Sequence, residues 1–146
     1  MMIFFLGTDV SGKDTIMHLL AKDYTYQIYM SPRSPICNIV YNRLFNRHKQ
    51  LEEEFFDIIK KFLEMDAFFV MIEVEPEILV KRAQARNEKH VLKIEDFKEH
   101  ITMYNKVFNE CKLLFSEYET NFIKVDNSRD TRSTVETIKQ IIWRAL

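Results

Sequence analysis

The sequence predicts an α/β fold, a short parallel sheet covered by helices on both faces. Three observations predict it. Continuous apolar runs such as "MIFFL" and "AFFVMIEV" read as strands buried on both sides. Segments with apolar residues three and four apart fall between those runs. The only two glycines of the chain, Gly7 and Gly12, lie together between the first run and the first helix. Alternating strands and helices of this kind make a parallel sheet with right-handed crossovers.

The elements follow in order. Met2 to Leu6 is the first strand, and a helix begins at Lys13 with Ile16, Leu19 and Leu20 on one side. Tyr26 to Met30 reads as a second strand. "SPRSP" breaks the chain, and a helix follows from Ile36 to Phe45. Glu52 to Met65 is helical, with Phe55, Ile58, Ile59, Phe62 and Leu63 recurring at three and four. Ala67 to Val74 is the third strand. Pro76 stands at the first turn of the next helix, "EILVKRAQARNE". Ile94 to Tyr118 is a long amphipathic helix, Asn121 to Val125 a short last strand, and a polar loop leads into a closing helix. With no glycine left for helix ends, Asn and Asp must supply the left-handed caps.

Composition bounds the function classes. A chain of 146 residues, 47% hydrophobic, makes one domain over 1–146 with a real core. A net charge of -1 gives no basic field over the whole surface and argues against nucleic acid as a partner. The basic run "NRLFNRHK" then reads as a solvated helix end. No apolar run approaches the ~20 residues that cross a bilayer, and "MMIFFLG" is too short for a secretory signal. Cys37 and Cys111 have no paired spacing and read as reduced, buried thiols, which places the chain in the cytoplasm. His18, His48, His90 and His100 lack metal-ligand spacing and read as surface or helix-face residues.

The chemistry concentrates in "GTDVSGKDT", Gly7 to Thr15. A buried strand, a loop of the form G-x-x-x-x-G-K and a helix start form the context in which backbone N–H groups cradle phosphate. The helix N-terminus adds about half a positive charge. Gly7, Val10, Ser11, Gly12, Lys13, Asp14 and Thr15 are therefore the candidate ATP-binding residues, with Lys13 bridging the terminal phosphates. The residue after the lysine is Asp14, where a hydroxyl commonly holds magnesium. Asp14 can meet the ion through water, and it also suits the helix dipole. Thr15 follows as a hydroxyl for phosphate or metal.

The loop, together with "YMSPRSPICNIVYN", "VMIEVEPEILVKRAQAR" and "IKVDNSRD", resembles the thymidylate kinases and related (deoxy)nucleoside monophosphate kinases, including those carried by phages. The resemblance runs in order along nearly the whole chain and implies a three-layer P-loop kinase fold. It implies that Asp9 arranges magnesium and the acceptor phosphate, that Arg33 binds that phosphate, and that Tyr41 lies on the helix beneath it. It matches Arg82 and Arg86 to lid arginines, Glu73 to a strand-end acid that serves the metal, and Asn127 and Ser128 to the surroundings of the adenine. Lys13, Asp9, Arg33, Arg82 and Arg86 are thus the expected catalytic set, with ATP and Mg2+ as cofactors. Pro32 stands where the resemblance has an acid. Either "SPRSP" ends the second strand or the middle of the fold is deleted. The expected reaction is phosphoryl transfer from ATP to a (deoxy)nucleoside monophosphate. A deoxynucleoside kinase and a reduced ATP-binding protein acting through partners are the alternatives. The resemblance also implies a homodimer through apolar helices, with Glu52 to Met65 as a candidate surface.

Overall fold

The computed structural model of the chain describes residues 1–23, 28–86 and 92–145. The strands β1 (Met2–Leu6), β2 (Tyr29–Ser31), β3 (Phe68–Glu73) and β4 (Phe122–Asp126) form one parallel sheet in the order β2-β1-β3-β4. Six helices surround it among the described residues: α1 (Lys13–Ala21), α2 (Pro35–Leu44), α3 (Glu52–Glu64), α4 (Pro76–Ala85), α5 (Ile94–Leu114) and α6 (Thr131–Ala145).

The central position of β1 and β3 explains their unbroken apolar runs. Alternate residues point to opposite faces, and here both faces are covered. Phe4, Leu6, Phe69, Met71 and Phe122 pack under α2, α3 and α5, with Ile39, Ile59 and Phe108 against them. Ile3, Phe5, Val70, Ile72 and Val125 pack under α1, α4 and α6, with Ile16, Leu79 and Ile138. Three layers result. Phe4 stacks on Phe69, and Phe69 on Phe122, which ties three strands together on one face.

Helix ends behave as a glycine-poor chain requires. Asn46 (φ 52) follows α2 and Asp66 (φ 60) follows α3. In each case the next residue closes the helix: Arg47 N–H donates to Asn42 and Ala67 N–H to Phe62. These are Schellman caps made without glycine.

Two boundaries differ from expectation. The long helix stops at Leu114, and Ser116–Asn121 forms a 3₁₀ turn before β4. The second strand is Tyr29–Ser31, an edge strand; Tyr26 and Gln27 lie outside the described residues. Asn87, Glu88 and His90 also lie outside them. No described helix is long and apolar enough to cross a membrane.

Candidate functional site

All four strands point their carboxyl ends the same way, and the chain leaves β1 for β2 on one side and later reaches β3 on the other. Ligands bind at such switch points in open α/β sheets. The loop from Gly7 to Gly12 sits there. Each glycine has a specific reason. Gly7 has φ 148, and a Cβ on it would lie 2.5 Å from the Ile72 carbonyl oxygen. Gly12 has φ 97, and its Cβ would lie 2.5 Å from Asn127 Nδ2. Between them, Val10 is β-branched at φ 56, a strained conformation that its surroundings must hold.

Asn127 and Arg82 hold it. Asn127 is fully buried. Its Nδ2 donates to Ser11 O at 2.8 Å, its N–H to Glu73 O at 2.7 Å, and its Oδ1 accepts from Thr134 Oγ1 at 2.9 Å. Arg82 Nη2 donates to Asn127 O at 2.6 Å, and Nη1 to Val10 O at 3.4 Å and Ser11 O at 3.3 Å. Burial, then the like charge of Arg86, pulls the Arg82 guanidinium below the ordinary arginine value, against Asp126. The loop is thus clamped from behind by α4 and by the turn between β4 and α6.

In front of the loop lies an open cleft of about 580 Å³. Asp9, Val10, Ser11, Gly12, Lys13, Asp14 and Thr15 form one side. Pro32, Arg33, Cys37, Asn38, Tyr41, Arg86 and Tyr104 complete it. Lys13 Nζ donates to Gly7 O at 2.7 Å, so the ammonium folds back over the loop. The α1 N-terminus has no side-chain cap, which leaves its N–H groups for a ligand. The segment "SPRSP" does end the second strand. Ser31 Oγ donates to Arg33 O at 2.8 Å and accepts from Arg33 N–H at 3.3 Å, shaping the turn. Ser34 then caps α2, its Oγ accepting from Cys37 N–H.

The structure brings together Asp9, Arg33, Tyr41, Arg86 and the loop residues. It does not bring in Arg82, whose guanidinium faces loop carbonyls behind the cleft. Asn127 also lies behind the loop. Glu73 and Ser128 line a separate shallow hollow with Asp126 and Lys98. There Ser128 Oγ donates to Asp126 Oδ1 at 2.6 Å and accepts from Glu75 N–H at 2.9 Å. Among the described residues no group of three His, Cys, Asp or Glu side chains converges on a metal position. Asp9, Asp14 and Thr15 nonetheless put hard oxygen donors beside Lys13, the type that magnesium takes when phosphates supply the rest.

Sequence reasoning missed two things. The first is Asn127 as a buried clamp. The second is Tyr104, a phenol inside the apolar stripe Phe97, Tyr104, Val107, Phe108 and Cys111 of α5. A tyrosine at a core position was the available signal, since its hydroxyl needs a partner. Burial pushes both the Tyr104 and Tyr41 hydroxyls above the ordinary phenol range.

Sheet order, helix layers and a glycine loop at the switch point make a three-layer α/β fold of the P-loop type. Two solved structures share it. The YorR protein of Bacillus subtilis, in complex with phosphorylated GDP, matches with TM-score 0.72 and 19% identity over 99% of this chain and 95% of its own. The deoxyadenosine kinase of M. mycoides with bound dATP matches with TM-score 0.64 and 17% identity over 97% of this chain and 99% of its own. At these identities the likeness is one of fold. No protein-family model matches the chain, and no curated protein matches it in sequence.

Proposed function

We propose that the protein transfers a phosphoryl group from ATP to a nucleotide-type acceptor, in the first place a (deoxy)nucleoside monophosphate as in thymidylate kinases. One observation carries this reading: a single cleft joins the Lys13 loop to Arg33 and Arg86. Phosphoryl transfer requires positioning and charge neutralisation more than covalent chemistry. The loop N–H groups and Lys13 hold the donor phosphates. Arg33, just past the β2 end, holds the acceptor phosphate, and bidentate guanidinium suits its oxygens. Arg86 approaches the transferred group from the α4 end. Asp9, Asp14 and Thr15 would hold magnesium, which when bound with ATP neutralises developing phosphate charge. Asn127 and Arg82 keep the loop in its cradle shape, a positioning role.

The fold likeness to a deoxyadenosine kinase favours a second reading, in which the acceptor is a deoxynucleoside without phosphate. A coupled ADP-release assay over common (deoxy)nucleosides and their monophosphates separates the two. Turnover with monophosphates, abolished in Lys13→Ala, is expected. Turnover with nucleosides alone would favour the second reading, and full activity of Lys13→Ala would sink both.

A further inference from the structure

Tyr104 is 2% exposed, and its hydroxyl has no hydrogen-bond partner among the described residues. Its polar neighbours are the Tyr41 hydroxyl and the Cys37 thiol, close enough to shift its titration, yet neither reaches hydrogen-bond geometry with it. The Tyr41 and Tyr104 rings meet edge to face, centroids 6.2 Å apart at 88°. Tyr104, Tyr41 and Cys37 all line the cleft. Buried hydroxyls are nearly always satisfied, and one that is not is costly to the free protein.

The side of the cleft matters. The loop takes the donor, and Arg33 and Arg86 supply the cations for phosphate. Tyr104 adjoins the Cys37 thiol and the Tyr41 phenol on the cleft wall. A phosphate finds its cations at Arg33 and Arg86 and does not need this phenol. A neutral hydrogen-bonding group of the acceptor, on its sugar or its base, gains a partner there.

We propose that the Tyr104 hydroxyl is a specificity contact of the acceptor site, unpartnered in the free protein and met by a neutral polar group of the bound acceptor. The proposal rests on the kinase reading above and adds the residue by which the acceptor is told from its analogues. A site built to bond one substrate group rejects analogues that lack it far better than an apolar pocket does.

The experiment compares full-length wild type with Tyr104→Phe. Three quantities are read: the urea midpoint without ligand, KM and kcat for each accepted monophosphate, and KM for ATP. Phenylalanine keeps the ring and removes only the orphan group, so the ligand-free midpoint should hold or rise. KM for the preferred acceptor should rise roughly 5- to 150-fold, the worth of one buried hydrogen bond, while KM for ATP stays. Pairs of ribo- and deoxy-monophosphates, and pairs differing only in base, identify the partner group. The analogue lacking it should be used equally by both proteins. A Tyr104→Phe enzyme with wild-type KM for every acceptor would overturn the contact while leaving the kinase reading intact. A lowered ligand-free midpoint with unchanged KM would make the hydroxyl internally bonded and overturn it too. If wild type itself uses no acceptor, the kinase reading falls and the contact with it.

Discussion

Gly12→Ala tests whether the loop is clamped by Asn127 as the geometry implies. The substitution has two separable costs. Gly12 lies at φ 97, where a Cβ strains the backbone by about 1–2 kcal/mol. The new Cβ also lands 2.5 Å from Asn127 Nδ2, so the amide must move. That amide is held to Ser11 O at 2.8 Å and by Thr134 Oγ1 at 2.9 Å. Losing both bonds costs about 2 kcal/mol at about 1 kcal/mol net each. Gly12→Ala should therefore destabilise by about 3–4 kcal/mol. Asn127→Ala alone loses the same two bonds, about 2 kcal/mol, because its backbone bonds to Glu73 and Arg82 survive. In the double variant the clash has no target and only the strain is added. The pair should fall about 2 kcal/mol short of additivity, well inside the range for contacting residues. Urea denaturation of the four proteins measures this directly. Additivity within about 0.5 kcal/mol would refute the clamp and leave backbone strain as the whole role of Gly12.

Two further outcomes follow from the same residues. Arg82→Ala should lose about 1–3 kcal/mol of stability and raise KM for ATP, with Arg82→Lys restoring part of both; a fall in kcat with stability unchanged would instead make Arg82 a phosphate contact. Cys111 is fully buried, and burial pushes its thiol up to about 12 from an ordinary 9.0, with Glu110 adding and Arg43 opposing. The folded thiol keeps its proton where the unfolded one loses it, so stability should fall from pH 9 towards 12, by up to about 1.4 kcal/mol per unit from this group. The difference between wild type and Cys111→Ala across that window, read by urea denaturation, isolates it; parallel curves would refute the assignment.

Much of the fold was legible because burial wrote itself into runs and periods. "MIFFL" and "AFFVMIEV" are unbroken because β1 and β3 are covered on both faces. The residue types of the caps, Asn and Asp, were legible by elimination, since both glycines lie in the loop; that they fall at Asn46 and Asp66 came from the structure. The end of the long helix was not. The apolar spacing continues through Phe115 and Tyr118, and no glycine or proline marks the stop. The helix nonetheless ends at Leu114, with Leu113 80% and Leu114 62% exposed. What draws the chain out of the helix is tertiary: Phe115 is buried, and Asn121 Nδ2 donates to Ala67 O at 2.9 Å, anchoring the entry to β4 beside β3. Sequence periodicity carries no record of such a bond across 54 residues.

The site divides along the same line. Its loop was legible because strand, glycines, lysine and helix are contiguous. Arg82 and Arg86 were not separable, since four residues apart on a helix they share a face. Their roles diverge because α4 ends at Ala85. Arg82, a full turn inside, meets the loop carbonyls, while Arg86 at the cap reaches the cleft. The divergence has a chemical logic. A loop carrying a strained Val10 and an open helix N-terminus must be rigid before phosphate arrives, or binding would have to order it. Arg82, bonded to the carbonyls, supplies that rigidity, and in the proposed reading leaves Lys13, Arg33 and Arg86 to meet phosphate charge in the cleft. The loop backbone is therefore held in shape without a ligand. Two buried hydroxyls lack a partner among the described residues, Ser11 Oγ in the loop and the Tyr104 hydroxyl across the cleft; in the proposed reading the loop meets the same donor phosphates whatever the acceptor, so Tyr104 is the place where the choice of acceptor is expected to show.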